Sequence, residues 1–140
     1  MKSTATLFGV LAATISWGGF AAAQPGLSMW YHGAGGEVEG AIIRQIVDDF
    51  NASQGEYSVA LESFPQESYN DSIVAAALAG NLPDIIDVDG PVMPHWAWAN
   101  YMQPLTFDES LIADFLPGTI GRWDGALYSV GLWDAAVSLY

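Results

Sequence analysis

From residue 27 onward, short apolar runs alternate with longer stretches in which apolar residues recur every three or four positions. Residues 27–31 form a brief apolar run cut off by His32-Gly33-Ala34-Gly35-Gly36, the pattern of a buried strand feeding a loop. Val38, Ile42, Ile43, Ile46, Val47 and Phe50 then repeat at helical spacing, with Glu37 and Glu39 in a first turn where the helix dipole favours anions. After Asn51, the alternation of Tyr57, Val59 and Leu61 with polar neighbours predicts a second strand with one half-buried face.

The pattern then repeats. Ser68 is placed to cap a helix whose stripe is Tyr69, Ile73, Val74, Ala77 and Leu78, with Gly80 as a left-handed terminator and Pro83 blocking continuation. Residues 84–88 read as a third strand. Gly90-Pro91 opens a helix over 92–101 with Met93, Trp96, Ala97 and Tyr101 on one face. Asp108 can cap a short helix carrying Leu111, Ile112 and Phe115, and Asp124-Gly125 is a hairpin turn between Trp123 and Leu127-Tyr128.

Strand, helix, strand, helix, strand, helix is the signature of an α/β fold, a mostly parallel sheet flanked by helices. Right-handed crossovers bring the loops that follow the strands to one edge, where open sheets of this kind bind ligands. That edge gathers His32 and Gly33 from the first loop, residues 64–67 including Glu67 from the second, and Asp87, Asp89 and Gly90 from the third.

Charge narrows the partners. Three basic residues against 16 acidic ones give a net charge of -13, a field that repels nucleic acid and anionic lipid. No cysteine is present, which excludes disulfides, thiolate metal sites, cysteine nucleophiles and a lipid-modified N-terminal cysteine. Lys2 is the only charge before a small apolar run over residues 7–20 that ends in Ala21-Ala22-Ala23, the pattern of a cleaved secretory signal over residues 1–23. The expected destination is the periplasm, without a lipid anchor.

Several strings resemble the N-terminal part of extracellular solute-binding proteins of carbohydrate-uptake ABC transporters, the maltose-binding-protein-like type. They are Met29-Trp30-Tyr31-His32-Gly33, Asp49-Phe50-Asn51, Ala79-Gly80-Asn81-Leu82-Pro83-Asp84-Ile85-Ile86, Tyr101-Met102-Gln103-Pro104-Leu105 and Trp123-Asp124-Gly125-Ala126-Leu127-Tyr128-Ser129-Val130. The resemblance implies a periplasmic-binding-protein-like fold, here a partial first lobe over residues 24–131. Residues 132–140 would begin the crossing toward a second lobe, so that the reading frame is expected to be incomplete. It implies a noncatalytic, monomeric receptor that closes on a sugar and delivers it to an ABC permease. It also places Trp133 and Asp134 at the hinge, where an acidic residue would bind sugar. Ala34, Gly35 and Gly36 stand where some relatives carry charged residues, so their ligand does not transfer directly.

A sugar offers hydroxyls at its rim and apolar faces above and below, so its site needs hydrogen-bonding groups beside flat rings. His32, Gly33, Glu67, Asp87, Asp89, Trp133 and Asp134 are the candidate substrate-binding residues. Asp89 fits equally as a helix cap before Pro91, Glu67 as an acid at a helix start, and Trp30 as core filler. The pair Asp87 and Asp89 also admits a secreted glycan hydrolase, since paired carboxylates run that chemistry. A polyol or glycerol phosphate is a further alternative ligand, although Arg44 and Arg122 lie far apart in sequence and form no visible anion clamp. No cofactor is implied. Asp84, Asp87 and Asp89 lack the spacing of a calcium loop, His32 and His95 have no metal-ligand spacing, and the glycines after His32 lack the lysine and serine of a phosphate-cradling loop.

Overall fold

The computed structural model describes residues 25–33 and 36–131. The expected export signal over residues 1–23, Ala34 and Gly35, and residues 132–140, where the sequence places a crossing segment with Trp133 and Asp134, lie outside the described residues. Within them the order is β1 (Gly26–His32), α1 (Glu37–Ser53), β2 (Ser58–Phe64), α2 (Gln66–Ala79), β3 (Ile85–Ile86), α3 (Met93–Trp98), two 3-10 turns, β4 (Ile120–Trp123) and β5 (Ala126–Val130). The first three strands form a parallel sheet in the order β2-β1-β3, and β4 and β5 form a separate antiparallel hairpin.

That order decides where the helices go. The connection from β1 to β2 runs one way across the sheet and the connection from β2 to β3 runs back past β1, so right-handed crossovers put α1 and α2 on opposite faces. Strand alternation agrees with this placement. Tyr31 is buried on the α1 side, where its hydroxyl donates to Glu39. Trp30 and His32 point to the other side, where Trp30 packs on Phe64 with ring centroids 4.5 Å apart and His32 stacks on Tyr69. The main core lies on this second face and centres on Tyr69, Ile73 and Trp96, with Trp30, Phe64, Ile86 and Val88 against it.

Two side chains stitch strand ends that the ladder leaves open. Asn51, at the end of α1, accepts from the Val59 N–H at 2.7 Å and donates to its carbonyl at 2.9 Å, standing in for a missing strand on the outer edge of β2. Asp84 accepts from both the backbone N–H and the hydroxyl of Ser28, at 2.8 and 2.7 Å, and so fixes the start of β3 against β1. The Ser28 amide holds the Asp84 carboxyl below the usual carboxylate range.

Several element boundaries differ from those the sequence predicts. The helix expected to be capped by Ser68 begins at Gln66, after an extended Pro65, and the Ser68 hydroxyl donates to the Pro65 carbonyl instead of capping an N–H. Proline is tolerated there because its missing N–H would have had no partner at a helix start. The third strand pairs only at Ile85 and Ile86, and the third helix is confined to Met93–Trp98 because Asn100 turns into the left-handed region. The segment capped by Asp108, which accepts from the Ser110 N–H at 3.0 Å, is a 3-10 turn over Glu109–Ile112.

The stripes are narrower than the apolar patterns. In α1 only Ile43 and Val47 are buried, while Val38, Ile42, Ile46 and Phe50 line an outward face. In α2 the buried line is Tyr69, Ile73 and Ala76, and Val74 and Leu78 are exposed. A flat sheet contacts about one side of a helix, so an apolar pattern broader than that leaves residues outside. The signals that depend on backbone geometry appear as expected. Gly80 ends α2 at φ 69°, and Asp124 and Gly125 have φ 48° and 81°, the two positive values a tight hairpin turn requires.

Ile73 is 0% exposed and Leu78 is 82% exposed on the same helix. Ile73→Ala is therefore expected to cost about 2–5 kcal/mol of folding stability and Leu78→Ala no more than about 0.5 kcal/mol. Urea denaturation of the two variants checks this, and equal losses would show that α2 does not pack as described.

Candidate functional site

β1 has neighbours on both sides, and the chain reaches them in opposite directions, which makes the gap between the C-terminal ends of β1 and β3 a topological switch point. In open sheets of this kind that is the place where the covering helices part and a ligand crevice forms. β1 ends in His32, and the two residues of β3 lead directly into Asp87-Val88-Asp89-Gly90.

The backbone of this loop is pinned first. The Asp87 N–H donates to the Trp30 carbonyl at 3.0 Å, extending the β1–β3 ladder by one bond. The Tyr69 hydroxyl, rising from α2, lies 2.9 Å from the Asp87 carbonyl and 3.1 Å from that of Trp30. Tyr69 is buried, and that burial, reinforced by the charge of Asp87, pushes its phenol far above the ordinary range, so it stays a neutral donor. Past the bend, the Asp89 carbonyl accepts from the Val92 and Met93 N–H groups at 2.8 and 3.1 Å and turns the chain into α3.

The side chains then converge. His32 is only 7% exposed, its ring 5.0 Å from that of Tyr69 and nearly parallel to it. Nδ1 of His32 pairs with Oδ2 of Asp87, and Nε2 lies 3.3 Å from Oδ1 of Asp89. A neutral imidazole offers one N–H and one lone pair, so only the imidazolium donates to both carboxylates. The hydrogen bond to Asp87 raises the His32 pKa, outweighing the opposing effect of burial, and the charges of both aspartates add to the rise.

Five of the seven residues singled out in the sequence lie in described positions, and three of them form one cluster. His32 bridges Asp87 and Asp89. Gly33 adjoins the cluster, donating its N–H to the Phe64 carbonyl at 3.1 Å, and a Cβ placed on it would meet nothing within 4 Å, so the space above it is open. Glu67 is exposed in the first turn of α2, two residues before Tyr69, and no hydrogen bond among the described residues joins it to the cluster. Trp133 and Asp134 lie outside the described residues. Asp89 is not the side-chain cap of α3, whose N-cap is Val92; its carboxylate goes to His32 instead. Sequence reasoning missed Tyr69, which an apolar stripe assigns to the core; nothing in the spacing signals that its hydroxyl also holds the site loop.

Asp84 sits at the opposite end of β3, bound to Ser28, and takes no part in the cluster. Among the described residues no group of three or more His, Asp or Glu is arranged to hold a metal ion. What the cluster offers is a pair of part-exposed carboxylates at the switch-point edge, backed by the buried rings of His32 and Tyr69. Such an edge of a doubly wound sheet is where small molecules bind in proteins of this architecture.

The chain belongs to the bacterial extracellular solute-binding proteins, whose family model matches residues 45–136. Its role is accordingly substrate binding for transport outside the cytoplasm, secreted or periplasmic, in a family that is typically non-enzymatic. No curated protein matches the chain.

The raised His32 pKa fixes a sign. Because the folded state holds the proton more tightly than the unfolded chain, His32 contributes stability that is fully present below the ordinary histidine value of 6.5 and is lost as pH rises through the higher folded value. Urea midpoints measured from about pH 6 upward are expected to fall in the wild type and to fall less in His32→Gln. Parallel profiles for the two proteins would show that the imidazolium is not bound in the native state.

Proposed function

We propose that the protein is the substrate-binding component of an ABC importer that captures a sugar in the periplasm and delivers it to a membrane permease. The observation that carries this reading is the chemistry of the switch-point crevice. Carboxylates on the Asp87–Asp89 loop supply strong acceptors for hydroxyls, the buried rings of His32 and Tyr69 back them from inside, and Gly33 leaves room beside them. Residues 1–23 act as the export signal, and Trp133 and Asp134 are proposed to meet the ligand from the crossing segment, with Glu67 reaching it from the rim. The receptor works as a monomer. A sugar that binds the closed form better than the open one drives closure, and the permease reads that closure.

Charge speaks against the phosphate alternative. The described residues contain no lysine and two arginines; Arg122 pairs with Glu109 near the hairpin and Arg44 is exposed on α1. Glycan hydrolysis is disfavoured by the placement of the two acids. Glycosidases flank the scissile bond with two carboxyl groups of different protonation, whereas Asp87 and Asp89 converge on one imidazole.

A thermal-unfolding screen of the protein, purified as its source cell makes it, tests the reading with neutral mono- and disaccharides and glycerol phosphate. A neutral sugar is expected to stabilise it by roughly 2.7 kcal/mol at a hundredfold excess over Kd, with the sugar recovered unchanged. Stabilisation by glycerol phosphate alone, or release of cleaved sugar, would replace the reading with one of its two rivals.

A further inference from the structure

We propose that His32 is a positioning residue whose imidazolium clamps Asp87 and Asp89 together and holds the outer face of the Asp89 carboxylate toward the crevice as the acceptor for a ligand hydroxyl. The inference deepens the sugar-capture reading and rests on it for the identity of the ligand.

The two aspartates are not equivalent. Asp87 is tied down independently of His32: its N–H bonds to Trp30, its carbonyl accepts from Tyr69, and only 27% of its side chain is exposed. Asp89 sits beyond the last ladder bond and beside Gly90, with 50% of its side chain exposed and a longer contact of 3.3 Å to the ring. When the imidazolium loses its proton, one ring nitrogen presents a lone pair to a carboxylate, and that contact turns repulsive. The ring itself is held by its stack on Tyr69 and by burial. Asp89 is therefore the partner that gives way, and the acceptor leaves the crevice.

The surroundings leave His32 in control of this change. Asp87 and Asp89 face it from the loop after β3. Tyr69 faces it from α2 as a neutral phenol, and Phe64, its register partner on β2, does not titrate. On its own strand Tyr31 is held neutral by burial and by Glu39 of α1, which accepts the Tyr31 hydroxyl. Both arginines are placed elsewhere, so among the described residues neither replaces the imidazolium. The clamp is closed while the imidazolium keeps its proton and opens as pH rises through its raised pKa.

The test is an NMR titration of the ligand-free chain labelled with ¹⁵N. The protein has two histidines, and His95→Gln, at an exposed position, leaves the His32 imidazole alone in the spectrum. Both ring nitrogens are expected to be protonated below a midpoint that lies above the ordinary histidine value. The backbone amides of Asp89 and Gly90 should shift with the same midpoint as the ring, those of Asp87 should move less, and Asp89→Asn should lower the midpoint. A midpoint at or below the ordinary histidine value, a midpoint indifferent to Asp89→Asn, or Asp89 and Gly90 amides that do not follow the ring would overturn the clamp. Because no sugar is present, an empty sugar screen beside a shared midpoint would sink the ligand reading alone, and separate midpoints would sink the clamp alone.

Discussion

Parallel strands of unequal length leave a problem at their ends, and in this protein the Tyr69 hydroxyl resolves it. β1 continues to His32, whereas β3 pairs for two residues only, and once the Asp87 N–H has bonded to the Trp30 carbonyl the Asp87 carbonyl faces a region where the ladder has stopped. An unpaired buried carbonyl costs on the order of 1–3 kcal/mol. Tyr69 brings a donor to it, shared with the Trp30 carbonyl, from a helix whose apolar line otherwise builds the core with Ile73 and Trp96. One side chain thus fills the interior, holds the end of the sheet and sets the direction in which Asp87 and Asp89 leave it.

The site follows from that arrangement. Two carboxylates close together repel each other, and in a chain of net charge -13 there is little cationic material to hold them. His32 supplies the missing charge from the one strand that ends between both neighbours. Its ring is stacked on Tyr69, so the residue that orders the loop backbone also orders the group that orders the loop side chains. A solute-binding protein needs acceptors whose directions are fixed before the ligand arrives, because each side chain ordered on binding reduces affinity.

How much of this was readable from the sequence depends on the kind of signal. Features set by local backbone geometry were legible: Gly80 after α2, Asp124-Gly125 between β4 and β5, Asp108 before its turn, and the alternation of strands and helices that gives the parallel sheet. The gathering of His32, Asp87 and Asp89 was legible as well, because crossover handedness and strand order fix which loops meet. Three things were not. The start of α2 depends on Pro65 rather than on Ser68, the better capping residue by type. The outward apolar face of α1 cannot be told from its buried face by spacing alone. The double duties of Tyr69 and Asn51 depend on where a strand ends in space, which no periodicity records.

The central claim is that Tyr69 and the Asp87 carboxylate act as one unit through the loop they share. A double-mutant cycle with Tyr69→Phe and Asp87→Asn, followed by urea denaturation at neutral pH, measures this directly. Phenylalanine keeps the ring and removes only the hydroxyl; asparagine keeps the shape and removes the charge that binds His32. A coupling of roughly 1 kcal/mol is expected, within the range found for residues in one hydrogen-bond network. Losses that add to within about 0.3 kcal/mol would mean that the backbone pin and the carboxylate clamp are independent, and would contradict that claim.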